Sequence, residues 1–197
     1  VEAGLRSFDR RMPEEINRVL TDQIADILYT TERTAHSNLQ REGIADERIV
    51  FVGNVMIDAL LAHRARAPSP GEVLLRYDRD AESVLNQYGV VTLHRPSNVD
   101  TPQALRESLE IVREVSQRLP IVCALHPRTR GNIDRFGLAS LADSPSITLL
   151  PPLGYLEMLG LMARAAVVLS DSGGIQEETT ALGVPCLTMR ENSERPI

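Results

Sequence analysis

An Asp-Ser-Gly-Gly sequence at 171–174 separates an apolar run from an amphipathic segment that begins at Ile175. The pattern predicts a buried parallel strand, a glycine turn with a capping serine, and a helix over 175–182. The N-terminus of a helix carries free backbone N–H groups, which bind phosphate without any lysine. The candidate phosphate ligands are therefore Ser172, Gly173 and Gly174.

Two carboxylates follow one turn into that predicted helix. Glu177 and Glu178 are placed to accept hydrogen bonds from a sugar hydroxyl, and Arg195 supplies a later cation. Ser-Gly-Gly before a helix is also simply a good N-cap and a tight turn. The paired glutamates and Arg195 favour a site for the diphosphate and ribose of a nucleotide over that purely structural interpretation.

Histidines end two other apolar runs, at 90–93 and 121–125. In open parallel sheets, ligands bind beyond the carboxyl ends of the strands, so His94, His126 and Asp171 are predicted to face one crevice. Imidazole transfers protons near neutral pH, and the neighbouring Arg95 can hold a phosphate or carboxylate. For a single histidine, a solvated loop position is the alternative interpretation.

Two acidic residues near the N-terminus are further candidates for proton transfer. Residues 1–7 resemble a strand end passing into a glycine turn, which places Glu2 at the carboxyl end of that strand. Glu14 follows Pro13 in the first turn of a predicted helix, where acids stabilise the helix dipole. Stabilisation of the helix dipole fully accounts for an acid at position 14. From the sequence pattern alone, we therefore favour this structural role of Glu14 over a catalytic one.

Strand and helix patterns alternate along the whole chain, which predicts parallel sheets with right-handed crossovers, the doubly wound α/β class. The sequence Ala-Pro-Ser-Pro-Gly at 67–71 is typical of a linker. We expect residues 1–66 to be the C-terminal portion of one Rossmann-like domain and residues 72–197 to be a second, nucleotide-binding one that lacks its C-terminal end. The chain opens on Val1 without an initiator Met, so we interpret it as a fragment.

Composition excludes several functional classes. The net charge of −6, an aromatic content of 4% and the absence of Trp argue against nucleic-acid binding. No apolar run approaches the roughly 18–20 residues that cross a bilayer, and the residues from Val1 onward do not show the basic-then-apolar pattern of a secretory leader. Cys123 and Cys186 lie in apolar runs typical of small buried side chains, which favours a cytoplasmic location.

The sequence also lacks the motifs of several enzyme classes and of metal sites. The four histidines are widely spread and neither cysteine has a partner at ligand spacing, so no metal site is predicted. The sequence has no Walker loop, no G-x-S-x-G and no G-x-G-x-x-G, so ATP hydrolysis, serine esterase and NAD-dependent activity lack support.

Several long segments, in order from Val1 to Ile197, resemble the non-hydrolysing UDP-N-acetylglucosamine 2-epimerase family: VEAGLRSFDRRMPEEINR, GNVMIDAL, VTLHRPSNVD, LHPRTR, PPLGYLEMLGLMA, LSDSGGIQEETTALGVPCLTMR and ERP. The resemblance implies a glycosyltransferase-B-like fold with two Rossmann-type domains. It also implies a homodimeric isomerase of cell-envelope polysaccharide biosynthesis that interconverts UDP-N-acetylglucosamine and UDP-N-acetylmannosamine. In that family, UDP is eliminated to leave 2-acetamidoglucal and then adds back, with no redox or metal cofactor.

Carried over residue by residue, the resemblance also assigns roles. It implies that the acid/base set is Glu2, Glu14 and His94. It implies that the UDP contacts are Ser172, Gly173 and Gly174 at the phosphates, Glu178 at the ribose, Arg195, and the backbone of Met158 at the uracil. The residues that match a second, regulatory substrate site are Arg95 and His126.

The chain departs from the family pattern in one respect. The family's N-terminal part, which carries a phosphate-binding Arg and a catalytic Asp in a Gly-Asp-Thr motif, is absent, as is a segment after Ile197. We therefore expect these 197 residues to be inactive by themselves. The alternatives are a UDP-sugar glycosyltransferase of the same fold, a UDP-sugar-binding regulator that has lost catalysis, and an epimerase for an acidic or deoxy variant of the sugar.

Overall fold

The computed structural model describes residues 2–77 and 87–190. Its contacts divide the chain into two units. Within the described residues, the first unit comprises residues 2–59 together with Arg190. The second unit comprises residues 60–189.

The first unit alternates helices with short strands. Its elements are α1 (Pro13–Ile24), β1 (Leu28–Thr30), α2 (Arg33–Arg41), β2 (Ile49–Phe51) and α3 (Val55–Arg64), which continues past Ala59. Strands β1 and β2 are parallel, with Leu28 opposite Ile49. Five of its buried apolar side chains form one small cluster: Ala3, Leu28, Leu39, Ile44 and Ile49.

The apolar side of helix α1 is the exposed one. Leu20 is 59% and Ile24 82% exposed, whereas Glu15 and Asp22 are buried. The Glu15 carboxylate accepts hydrogen bonds from two backbone N–H groups of the preceding loop, and Asp22 accepts from the N–H of Gly4 and from Arg6. Because these loop donors need acceptors, the polar side of α1 faces the interior of the first unit.

The segment before α1 differs from the strand end expected there. Residue 1 lies outside the described residues, and residues 2–7 form a turn without strand geometry. The Ala3 N–H donates to the carbonyl oxygen of Tyr29 at 3.1 Å, which ties the turn to β1. Gly4 has φ +77°, and a Cβ there would lie 2.5 Å from the carbonyl oxygen of Ala35, so both the backbone conformation and the space require glycine.

The second unit is built on a parallel five-stranded sheet, in the order β5-β4-β3-β6-β7. Its elements are α4 (Pro70–Arg76), β3 (Gly89–Thr92), α5 (Pro96–Val99), α6 (Pro102–Ser116), β4 (Ile121–Ala124), α7 (Pro127–Arg135), α8 (Ala139–Ala142), β5 (Ile147–Leu150), α9 (Tyr155–Met162), β6 (Val167–Ser170), α10 (Gly173–Leu182) and β7 (Cys186–Thr188). The strands and longer helices of this unit confirm the predicted α/β alternation. The four-residue helices α5 and α8 were not predicted.

Both faces of this sheet are covered. On one face Val91 belongs to a cluster with Leu105 of α6 and Ile133 of α7, and on the other Val90 belongs to a cluster with Val73 of α4 and Leu161 of α9. Neighbouring residues of β3 thus point to opposite cores, as in a strand buried on both faces.

The segment predicted as a linker, residues 67–71, contains the start of a helix. Helix α4 begins at Pro70 and is capped by Ser69, whose Oγ accepts from the Glu72 N–H while the Glu72 carboxylate accepts from the Ser69 N–H. A Cβ at Gly160 of α9 would lie 2.1 Å from the carbonyl oxygen of Pro68, so this stretch is packed closely against α9. The predicted domain limits of 1–66 and 72–197 stay a prediction. Among the helices in the described ranges 2–77 and 87–190, none has the length and apolar character to cross a membrane.

Candidate functional site

The sheet of the second unit reverses its winding between β3 and β6. Strands β4 and β5 follow β3 outward on one side, and β7 follows β6 on the other, so the carboxyl ends of β3 and β6 form a topological switch point. Thr92 pairs with Ser170 in the register of these two strands. The chain then continues to His94 from β3 and to Asp171 from β6, which brings these two predicted site residues together.

The carboxylate of Asp171 is fully buried and accepts hydrogen bonds from the turn after β3. The backbone N–H groups of His94 and Arg95 lie 3.0 and 2.8 Å from Oδ2, and the side-chain amide of Asn98 lies 3.0 Å from the same oxygen. Burial opposes ionisation, but the hydrogen bonds from His94, Arg95 and Asn98 prevail and lower the pKa of Asp171. Asp171 is therefore a buried anion that organises the β3–α5 turn.

The His94 imidazole lies against the other oxygen of the same carboxylate. Its Nδ1 is 3.0 Å from Asp171 Oδ1, and 38% of the side chain is exposed. Since a carboxylate only accepts hydrogen bonds, Nδ1 carries a hydrogen, and Nε2 is the basic atom of the neutral ring. This arrangement suits His94 for proton transfer through Nε2.

His126 lies next to His94, as the sequence predicted. The centroids of the two rings are 5.7 Å apart. His126 is also the N-cap of α7, where its Nδ1 accepts from the Arg128 N–H at 3.2 Å. Arg128, in the first turn of α7, forms an ion pair with Asp100. The cap and the ring contact together explain the conformation of His126.

The Ser-Gly-Gly segment begins helix α10 two residues earlier than expected. Gly173 and Gly174 lie inside the helix rather than in a turn before it, and Ser172 is the N-cap. The prediction of a capping serine side chain is wrong, because the Ser172 hydroxyl makes no capping hydrogen bond. The first intrahelical bond is Gln176 N–H to the Ser172 carbonyl oxygen at 3.3 Å, so the N–H groups of Gly173, Gly174 and Ile175 precede the hydrogen-bonded ladder.

Glu178 lies on α10, is only 8% exposed and is hydrogen-bonded to the Tyr155 phenol at the start of α9. Burial raises the pKa of Glu178, the Tyr155 hydrogen bond lowers it, and the charge of Glu177 raises it further, with a net rise. Met158 is half-buried on α9, one turn after Tyr155. Sequence reasoning missed Tyr155; its position three residues before Met158, on the same side of a helix, was the available signal.

The two acidic candidates Glu2 and Glu14 lie in the first unit, and His94 lies in the second. Glu2 has φ +64°, a left-handed backbone conformation that is uncommon for a residue other than glycine. Glu14 is exposed in the first turn of α1, and its neighbour Glu15 is the buried one. Arg195 lies outside the described residues.

The described residues give little support to metal-dependent catalysis or to a cysteine nucleophile. Among residues 2–77 and 87–190, no group of three or more His, Cys, Asp or Glu side chains could hold a metal ion. Cys123 is buried in the sheet, and burial raises the pKa of its thiol to about 12, so it is not a thiolate nucleophile.

Comparisons with known proteins identify the family of this chain. A family profile described as UDP-N-acetylglucosamine 2-epimerase matches residues 1–197. The UDP-N-acetylglucosamine 2-epimerase of Methanococcus maripaludis is 42% identical over 199 residues, which cover 100% of this chain and 54% of the relative. The UDP-2,3-diacetamido-2,3-dideoxy-D-glucuronate 2-epimerase of Pseudomonas aeruginosa is 44% identical over 199 residues, which cover 98% of this chain and 52% of the relative.

Solved structures give the same result. The crystal structure of Methanocaldococcus jannaschii UDP-GlcNAc 2-epimerase in complex with UDP-GlcNAc and UDP matches with a TM-score of 0.87 and 42% identity, over 100% of this chain and 54% of that one. The expected glycosyltransferase-B-like α/β fold is thereby confirmed. The chain spans about half the length of the curated relatives it matches. Because the family profile covers all 197 residues, this chain belongs to the UDP-N-acetylglucosamine 2-epimerase family.

Proposed function

We propose that the full-length protein interconverts UDP-N-acetylglucosamine and UDP-N-acetylmannosamine by inverting the configuration at C2. The observation that carries this proposal is the switch point of the second unit. There, a helix N-terminus with free amides lies beside a histidine whose Nε2 is available for proton transfer. The first feature suits a leaving diphosphate, and the second suits a proton carrier.

The reaction proceeds by elimination and re-addition. The anomeric C1–O bond breaks, UDP leaves with the bonding electron pair, and a base removes the C2 proton, which gives 2-acetamidoglucal. UDP then attacks C1 again while an acid protonates C2 on the opposite face. The positive end of α10 stabilises the charge on the departing diphosphate, and carboxylates stabilise the developing oxocarbenium ion.

The family resemblance supports all of the following roles, and the geometry of the second unit supports those of His94, of Glu178 and of the start of α10. We assign proton transfer to Glu2, Glu14 and His94, and the phosphate contacts to Ser172, Gly173 and Gly174. We assign the ribose to Glu178, the uracil to the backbone of Met158, and a further UDP contact to Arg195. The buried, Tyr155-bonded carboxylate of Glu178 supports the ribose assignment, because a fixed acceptor is what two vicinal hydroxyls require.

Arg95 and His126 are proposed to line a second, regulatory site for the substrate. Both lie at the carboxyl ends of strands in the same unit, and the His126 ring lies 5.7 Å from the His94 ring.

We also propose that the full-length enzyme is a cytoplasmic homodimer that requires no cofactor. The 197 residues alone are proposed to bind UDP without epimerising the sugar, since they span about half the length of their relatives.

A second candidate substrate is favoured by one comparison. The relative from Pseudomonas aeruginosa acts, by its name, on UDP-2,3-diacetamido-2,3-dideoxy-D-glucuronate and is 44% identical to this chain. That sugar differs at C3 and C6 but undergoes the same reaction at C2. Identity of this level leaves both sugars as candidates. We propose the plain N-acetylglucosamine because the LRSFDRRMPEE segment resembles that branch of the family.

The proposal is tested with the full-length protein in D2O, by following C2 of each UDP-sugar with NMR. We expect deuterium at C2 and a mannosamine-configured product from UDP-N-acetylglucosamine, at a higher rate than from the diacetamido-glucuronate. Transfer of the sugar to an acceptor without exchange at C2 would instead establish a glycosyltransferase. Binding without exchange or transfer would establish a regulator, and a faster reaction with the acidic sugar would replace the substrate.

A further inference from the structure

Asp171 has no part in the proton transfers or UDP contacts assigned above, yet its carboxylate accepts several hydrogen bonds at the switch point. It receives hydrogen bonds from two backbone N–H groups, from the Asn98 amide and from the His94 ring. Its side chain has no exposed surface. An anion buried this completely is costly unless donors surround it, and here they do.

We propose that Asp171 is a positioning residue that sets the tautomer of His94. Its Oδ1 holds the hydrogen on Nδ1 of the imidazole, so that Nε2 carries the lone pair and exchanges the proton with substrate. This inference rests on the proposed function of His94. It extends that function by naming the group that decides which ring nitrogen reacts.

The distribution of donors shows why a carboxylate is needed. Oδ2 lies within hydrogen-bond distance of the N–H groups of His94 and Arg95 and of Asn98 Nδ2, at 3.0, 2.8 and 3.0 Å. Oδ1 faces His94 Nδ1 at 3.0 Å and the His94 N–H at 3.2 Å. Both oxygens therefore face donors.

An asparagine at position 171 would keep its oxygen on the side of the three donors. Its NH2 group would then lie against His94 Nδ1 and donate to it, since an amide nitrogen has no acceptor. The imidazole would respond by moving its hydrogen to Nε2. The Asp171→Asn substitution therefore converts the reactive nitrogen from an acceptor into a donor while changing the shape of the site very little.

Asp171, together with Asn98, joins three segments of the fold. Asn98 donates to Asp171 and also to the carbonyl oxygen of Met189, directly after β7, at 2.8 Å. Arg95 Nε lies 3.3 Å from the Asp171 carbonyl oxygen, one residue before the N-cap of α10. Substitution of Asp171 therefore removes contacts that hold the β3–α5 turn as well as the contact with the His94 ring. The test has to distinguish a change of the His94 tautomer from a disruption of this turn.

The experiment uses full-length wild-type protein and Asp171→Asn, each labelled with 15N-histidine. The His94 resonances are identified by their loss in His94→Asn. We expect wild-type His94 to be protonated at Nδ1 and not at Nε2 when neutral, and the order to be reversed in Asp171→Asn. Exchange at C2 in D2O should fall about 10²–10⁴-fold, the range that general acid–base catalysis contributes, with KM for the UDP-sugar nearly unchanged.

Asn98→Ala is the matched control, because it removes a donor to Asp171 but leaves the contact with the ring. We expect it to keep the Nδ1–H tautomer and to lose far less exchange than Asp171→Asn. In a double variant with His94→Asn, the Asp171 substitution should add little further loss, since both act through one imidazole.

The proposal is overturned by a wild-type His94 protonated at Nε2, a result that needs no variant to fold. It is overturned equally if Asn98→Ala abolishes exchange as completely as Asp171→Asn does, because Asp171 would then only maintain the turn. Failure of the wild-type enzyme to exchange C2 would reject the proposed function, and the tautomer measurement would still report on the Asp171–His94 pair.

Discussion

At the scale of single residues, burial of Glu178 disfavours the ionised carboxylate that the proposed ribose contact uses. Its carboxylate is 8% exposed and is held by the Tyr155 phenol, and its pKa is raised chiefly because burial penalises the charged form. Two other buried acids in the described ranges each have several donors: Glu15 has two loop N–H groups, and Asp22 has Gly4 and Arg6. A buried carboxylate with a raised pKa is typical of a position kept for a ligand.

Glu178→Gln should weaken UDP binding by about 10–100-fold. A hydrogen bond to a charged acceptor contributes about 1.5–3 kcal/mol, and each 1.4 kcal/mol is tenfold in affinity. Calorimetric titration of the full-length protein with UDP measures the change, with Glu110→Gln on the exposed side of α6 as the charge-matched control. A larger loss in Glu177→Gln than in Glu178→Gln would reassign the ribose contact to Glu177.

The same variant should change the pH dependence of stability. A glutamate whose folded pKa lies above its unfolded value, about 4.3, is ionised at a cost in the folded state. Its favourable contribution is therefore complete below pH 4.3 and is lost as pH rises through the folded pKa. We expect ligand-free Glu178→Gln to gain in free energy of unfolding relative to wild type between pH 4 and pH 7, measured by urea denaturation. A difference that does not vary with pH would contradict the raised pKa.

At the scale of elements, the N-termini of helices serve different purposes within the second unit. Helix α4 closes its N-terminus with a complete capping box between Ser69 and Glu72. Helix α10 begins with Ser172 and two glycines, and the serine side chain makes no cap. The first end is satisfied internally, whereas the second leaves amides available to an anion.

Ser69→Ala should therefore destabilise the protein by about 1 kcal/mol, the usual cost of a lost N-cap, which is roughly 2–4 °C in melting temperature. Ser172→Ala is the matched N-cap control and should leave the stability of the ligand-free protein unchanged. Thermal denaturation of both variants checks the pair. Equal melting temperatures for wild type and Ser69→Ala would mean that residues 67–71 behave as a free linker after all.

At the scale of the whole molecule, the proposed roles divide between the two contact units. The UDP contacts assigned within the described ranges, at 172–174, Glu178 and Met158, all belong to the second unit. Glu2 and Glu14 belong to the first. Nucleotide binding and part of the proton transfer are thus assigned to different units of the chain.

Glu2→Gln and Glu14→Gln in the full-length protein should keep UDP affinity unchanged and lose C2 exchange by about 10²–10⁴-fold each. The carboxamide preserves shape but neither accepts nor gives up a proton at neutral pH. Titration with UDP and exchange in D2O on the same samples measure both quantities. A variant that loses affinity and exchange in equal proportion would place its glutamate in UDP binding.

Local patterns were enough to predict most elements of the second unit. The apolar runs at 90–93 and 121–125 correspond to β3 and β4, and the helix predicted over 175–182 lies within α10. These signals are local because strand burial and helix capping depend on residues only a few positions apart. In α1 the apolar residues recur at helical spacing, but Leu20 and Ile24 lie on the exposed side of the helix.

The sequence by itself determined the α/β class, the family and the set of residues at the strand ends, because periodicity and motifs are properties of neighbouring positions. Only the tertiary structure showed that Asp171 bonds the His94 ring, that Tyr155 bonds Glu178, and that Glu15 rather than Glu14 is buried. Asp171 and His94 are 77 positions apart in the chain and are joined by the pairing of β3 with β6. Such contacts depend on the order of the strands in the sheet and on which hydrogen-bond donors still lack an acceptor. A local sequence pattern predicts neither of them.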